Sequence, residues 1–232
     1  MPSLIAGVDG CREGWLAVVQ RGRELRAFIA PDLNVLLSAI PDALIAIDIP
    51  IGLPDRGSRD CDLQARKLLG RPRSSSVFPA PIRACLEDAE YSSLCALHRR
   101  IDGRGLTKQA FHLLPKIRQV DDFVIRVRDS AARIHEVHPE VSFALWNGGQ
   151  PMRFNKAQRQ GRCERERLID REWPGQRVRL AQALHGRRYA ADDLNDAFAA
   201  LWSAQRIAAG CAQMLPAEIQ RDALGLQMRI EA

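Results

Sequence analysis

Five carboxylates stand out because of where they fall in the hydropathy pattern. In LIAGVDGCREGW (residues 4–15) an apolar run ends in Asp9, and in ALIAIDIP (residues 43–50) Asp48 is flanked by isoleucines. Glu136 lies in IHEVHP, between His135 and Val137 in a short apolar stretch, and Glu140 follows the proline. In ADDLNDAF, Asp193 and Asp196 are three residues apart, so on a helix they are neighbours along one edge of the stripe formed by Leu194, Ala197, Phe198 and Leu201. An unpaired ionised carboxylate among apolar residues is costly. Two of them brought close need a cation or a shared proton. A divalent metal meets that need, and an oxygen donor set without thiolate or clustered imidazole favours Mg2+ or Mn2+ over zinc.

Each acid also has a plain structural reading. Asp9-Gly10 is a favoured turn dipeptide that could simply end a strand. Asp48 could be satisfied by N–H groups of the loop that follows it. Glu136 could be the outward polar residue of a half-buried strand. Aspartates in a first helical turn stabilise the helix dipole, which accounts for one or two of the three acids there without requiring a pair beside the apolar face. Competing motifs are missing. SSSVF lacks the nucleophile elbow, and neither a Walker-type phosphate loop nor a GxGxxG turn is present.

The elements that must position these acids follow from periodicity. Residues 4–9, 14–20 and 24–30 predict three short strands in an antiparallel meander. PDLNVLLSAI has a proline start and helical spacing, and ALIAIDI reads as a central strand covered on both faces. A right-handed strand–helix–strand crossover then sets this fourth strand parallel to the first, which brings Asp9 and Asp48 to the same carboxyl edge, where open α/β sheets bind ligands. Residues 58–130 predict a mainly helical insertion, broken by RPRSSSVFPAP and DGRG. RIHEVHPE predicts a fifth strand stopped by Pro139, helical patterns dominate afterwards, and LGLQMRIEA predicts a terminal strand. The expected architecture is α/β: one domain over residues 1–232, with a mixed sheet of about five strands flanked by helices.

Composition narrows the class further. With 46% hydrophobic and 27% charged residues, the 232-residue chain has the make-up of a soluble globular protein. No apolar window is long enough for a bilayer and no signal-peptide pattern opens the chain, so no membrane partner is expected and the cytoplasm is the expected compartment. The six cysteines are scattered without a CxxC pair and read as reduced thiols, not as a zinc site. The net charge of +6 permits a polyanionic partner, but the arginines do not gather in one tail.

A hairpin carrying the first acid, a second acid ending strand 4, and acids three apart on a late helix together resemble the ribonuclease H-like fold. More closely, the chain resembles the DUF429 family, a group of predicted nucleases of that fold. The resemblance rests on GVDGCREGW, IAIDIPIGLP, RDCDLQARKLLG, SSSVFPAP, TKQAF, KIRQVDDFV, HEVHPEVSF and DDLNDAFAAL, in order along nearly the whole chain. It implies an acidic centre of Asp9, Asp48, Glu136, Asp193 and Asp196, with Asp9, Asp48, Asp193 and Asp196 as metal ligands and Glu136 completing the shell or positioning water. It points to Arg66, Gln109, Lys116 and Lys156 as nearby substrate-binding residues. Thr107 stands where relatives often carry serine. The implied activity is metal-dependent hydrolysis of phosphodiester bonds in DNA or RNA without sequence specificity, with two divalent ions roughly 4 Å apart. Three alternatives remain open. One is a non-catalytic protein of this fold, and another a processor of small phosphoesters. The third is an actin-like phosphotransferase, which would need a duplicated second half that this chain is too short to hold.

Overall fold

The computed structural model describes residues 4–127 and 132–232. At its centre is a five-stranded mixed sheet. The strands β1 (Ile5–Cys11), β2 (Gly14–Arg21) and β3 (Glu24–Ala30) form the expected antiparallel meander. After the helix α1 (Leu33–Ala39), β4 (Leu44–Ile47) returns parallel to β1, and β5 (Ile134–Glu136) adds parallel to β4. The resulting order, β3-β2-β1-β4-β5, is the sheet expected of a ribonuclease H-like α/β protein.

Between β4 and β5 run α2 (Asp60–Arg73), α3 (Tyr91–Asp102) and α4 (Lys108–Arg126), which make up the predicted helical insertion; its last residues, 128–130, lie outside the described residues. α4 starts where Thr107 accepts the Ala110 N–H on its hydroxyl, a cap that serine would make equally well. After β5 come α5 (Pro139–Trp146), α6 (Arg159–Glu172), α7 (Gln176–Ala183) and α8 (Ala191–Ala208), then a separate hairpin of β6 (Met214–Arg221) and β7 (Gln227–Glu231). No described helix is long and apolar enough to cross a membrane.

Strand alternation divides the sheet between two cores. Ala6 and Val8 of β1, Trp15, Ala17 and Val19 of β2, and Ile45 and Ile47 of β4 pack against α1 and α4. Leu16, Val18 and Ala46 take the opposite face, against Ala197, Phe198 and Leu201 of α8 and Phe143 of α5. Burial on both faces explains why β1 and β4 read as unbroken apolar runs.

Three elements differ from the sequence reading. Pro139 does not merely stop β5 but opens α5, where its fixed φ and missing N–H suit the first helical turn. Asp48 lies just beyond β4 instead of within it. β6 was hidden by Pro216 and by a mostly exposed, polar run that lacks the alternation of a core strand.

Candidate functional site

The register of the sheet sets Asp9 and Asp48 side by side. Val8 pairs with Ile47, and Asp48 donates its N–H to the Val8 carbonyl at 3.0 Å, so the next residues of β1 and β4 are the two aspartates. Both follow the parity of Gly7 and Ala46 and therefore leave the α8 face of the sheet. Gly7 has a specific task there. A Cβ at this position would run into the backbone of Ala197, Ala200 and Leu201, so its absence lets α8 lie directly on β1. That close approach carries the first turns of α8, with Asp193 and Asp196, up to Asp9.

The electrostatics follow from this crowding. Burial, then the charges of Asp48 and Asp196, hold Asp9 well above the usual carboxylate range. Burial and Asp196 push Asp48 up to about 8, with Lys156 pulling the other way. Asp196 is likewise raised, by burial, against the pull of Lys156. Several hydrogen-bonding positions are unused. Asp196 Oδ1 is buried with no partner, and no donor among the described residues reaches the Asp48 carboxylate. Asp9 accepts only the N–H of Gly10, at 2.7 Å. Asp193 stands apart: it accepts the Ala190 N–H at 2.7 Å and so caps α8, a structural role additional to the helix-dipole one expected of acids there.

Lys156 supplies the cation in contact with the cluster. Its Nζ lies 2.5 Å from Asp196 Oδ2 and 3.5 Å from Asp192. The loop before α6 that presents it is fixed from three sides. Glu164 accepts the N–H groups of Arg153 and Phe154 at 2.9 and 3.1 Å. The fully buried Arg165 ties the Phe154 carbonyl to Glu140 of α5. Asn155 packs so closely on Gly161 that a Cβ there would meet its carbonyl. His138 completes this side; burial and the Lys156 charge bring its pKa down to about 4, which leaves the ring neutral at neutral pH.

Glu136 shares the sheet edge but not the cluster. It registers with Ile47, not with Asp48, and so leaves the opposite face. There both of its oxygens are bound by the Arg59 guanidinium at 2.6 and 2.7 Å, and one also accepts the Ile51 N–H. Arg59 holds Asp62 as well, at 2.6 and 3.1 Å. Burial opposes its charge, but Glu136 and Asp62 more than offset this and raise its pKa above the usual value. Among the described residues, the group of three metal-type ligands whose donor atoms lie within 4.8 Å of one another is Cys61, Asp62 and Glu136, and Arg59 already satisfies its two carboxylates. Asp9, Asp48 and Asp196 are spread more widely, so sharing one ion would require their side chains to swing together. The sequence reading assigned no role to Arg59 or Asp62.

Of the other expected residues, Lys116 donates to the Gly14 carbonyl at 2.5 Å, lies 4.6 Å from the Trp15 ring and runs its side chain over Gly10, next to Asp9. Arg66 donates to the Val77 carbonyl at 2.6 Å and thereby fixes the middle of the Pro/Ser loop. Gln109 is exposed in the first turn of α4. The structure thus gathers Asp9, Asp48, Asp196, Lys156 and, alongside, Asp193 and Lys116. It directs Glu136 and Arg66 to other partners.

No curated protein and no solved structure matches the chain. A family model does, described as protein of unknown function (DUF429), over residues 7–221, and the chain accordingly belongs to the DUF429 family.

Proposed function

We propose that the protein is a metal-dependent phosphodiesterase acting on nucleic acid, with Asp9, Asp48 and Asp196 as the residues that hold Mg2+ or Mn2+. The observation that supports this most is the set of three raised carboxylates at the carboxyl edge of β1 and β4, each with at least one oxygen that no donor among the described residues reaches. An orphaned buried oxygen at Asp196 is costly in isolation and is the kind of donor a hard cation satisfies. When bound, such an ion supplies Lewis-acid polarisation of a phosphoryl oxygen and a water of lowered pKa.

The chain's own residues have separable tasks. Asp9, central to the cluster, couples to both Asp48 and Asp196. Asp193 keeps the α8 terminus in place through Ala190. Lys156, with 40% of its side chain exposed, is the cation placed to meet a phosphate oxygen at the cluster. Neutral His138, with a buried Nδ1 lacking a partner, offers a ring nitrogen for a hydrogen bond on the same side.

The test is a cleavage assay with Mn2+ and with Mg2+ across single- and double-stranded DNA and RNA, a branched DNA and bis(p-nitrophenyl) phosphate. Cleavage that is abolished in Asp48→Asn supports the reading. Hydrolysis of only the small ester would reassign the substrate, and calorimetry showing no Mn2+ binding to the wild type would refute the metal centre itself.

A further inference from the structure

The loop that delivers Lys156 also forms one wall of a cleft of about 700 Å³, whose other wall is α6. Arg153, Arg159 and Arg167 line it, together with Phe154, Gln160 and Glu164. All three arginines are exposed, and among the described residues none is paired with a carboxylate, whereas nearby Arg165 and Arg177 are paired with Glu140 and Glu166. Glu164 is the cleft's acid, and its oxygens are engaged by the backbone N–H groups of Arg153 and Phe154. Three cations against one committed anion leave a local excess of positive charge. Phe154 is half-buried, and the Arg153 guanidinium lies 5.4 Å from its ring centre.

We propose that this cleft binds the sugar–phosphate backbone of a single nucleic-acid strand and leads it to the acidic cluster. The inference rests on the function proposed above and names where its substrate lies. Guanidinium forks match phosphate oxygens bidentately, and an aromatic ring beside them offers a base a stacking surface that does not depend on sequence. The path is short: Phe154 lines the cleft, and Lys156, two residues on, touches Asp196. A strand seated on the arginines therefore arrives at the carboxylates already charge-neutralised, with Lys156 as the last cation before them. These contacts carry no base-edge readout, so affinity falls steeply with salt and varies little with sequence.

Fluorescence anisotropy with a short labelled single strand, DNA or RNA, in EDTA measures this binding without catalysis. The Arg153→Glu/Arg167→Glu variant should weaken binding by about tenfold or more and flatten the dependence of log affinity on log salt by roughly 0.7 per lost phosphate contact. Arg21→Glu/Arg23→Glu, an equal charge change at the exposed β2–β3 turn, should cost less than about threefold. Equal losses in the two variants, no binding by the wild type, or equally good displacement by polyglutamate would overturn the proposal. Should charge reversal unfold the protein, the Arg→Gln triple variant at 153, 159 and 167 takes its place, with the same expectation. Mn2+ titration separates the two ideas. Loss of strand binding with Mn2+ affinity intact indicts the cleft alone, and strand binding without Mn2+ affinity indicts the metal centre alone.

Discussion

Two carboxylate clusters lie at the same end of the sheet, on opposite faces, and they solve the problem of buried negative charge in opposite ways. Around Arg59, two acids meet a planar fork that satisfies both, with side chains almost wholly buried and every contact short. Around Asp9, three acids share one lysine that is 40% exposed in its side chain, and oxygens are left over. In the first cluster the fold supplies a fixed cation that bonds both acids, although it balances one of their two charges and burial still pushes Glu136 up to about 7. The second cluster depends on a proton or an added cation. Burial alone therefore does not mark a functional acid. What separates them is whether the chain provides a fixed, matching counter-charge, and a single step of strand register decides which side Glu136 falls on.

The largest effect should come from opening the closed cluster. Arg59→Met strands Asp62 and Glu136, and we expect a loss of about 3–5 kcal/mol in urea unfolding. Adding Glu136→Gln should recover part of it. A loss no larger than that of an exposed arginine would erase the distinction between the clusters. Next comes Asp9→Asn. Metal-dependent cleavage should fall by about 100-fold or more, equivalent to about 2.7 kcal/mol. The metal-free melting temperature should stay level or rise, because a like charge has been removed. Unfolding of this variant with unaltered Mn2+ affinity would make Asp9 a structural residue. Lys156→Met takes the lysine partner from the buried Asp196 carboxylate, whose other oxygen is already unpartnered, and should cost about 1–3 kcal/mol in stability. It should nevertheless bind Mn2+ more tightly, by up to about tenfold in a calorimetric titration. Weaker Mn2+ binding would show that the lysine assists the ion instead of competing with it.

The subtlest prediction is the pH dependence of the metal-free protein. Asp48 has a folded pKa of about 8 against an ordinary 3.8, so its proton is held more tightly in the folded state. Its contribution is complete below about pH 4 and is lost as pH rises through 8. Asp193, raised to about 6, acts in the same direction over a narrower window. Metal-free stability, followed by thermal melts, should therefore decline between about pH 4 and 8, and Asp48→Asn should flatten that decline. Saturating Mn2+ should reverse its sign. A wild-type profile already flat over that range would show that the carboxylates are not electrostatically crowded.

Much of this was legible from local pattern. Asp9 and Asp48 announced themselves because each ends a run whose other residues are buried on both faces, and the crossover rule then put them at one edge. The helix acids were ambiguous in sequence because dipole stabilisation and clustering call for the same residues; the structure separates them, Asp193 to the cap and Asp196 to the cluster. Glu136 lies on the face away from the cluster, and its parity with Ile134, two residues earlier in the core under α1 and α4, accounts for that. Arg59 gave no local signal. It sits in the polar segment RGSRD, and its partner Glu136 is 77 residues away, so only tertiary structure reveals the pair. The unpaired arginines of the cleft were invisible for a related reason, since in an arginine-rich chain only the lack of a partner distinguishes them.

The glycine at position 7 has a consequence for how the acids can adjust. With no methyl to act as a spacer, main chain of α8 rests on main chain of β1, and strand and helix must behave as one stiff unit. Whatever rearrangement draws Asp9, Asp48 and Asp196 together has to come from rotation about their own χ angles and not from drift of the scaffold. A single added carbon at that spot would act as a wedge, prising the strand-borne acids from the helix-borne one while leaving every charged group chemically intact.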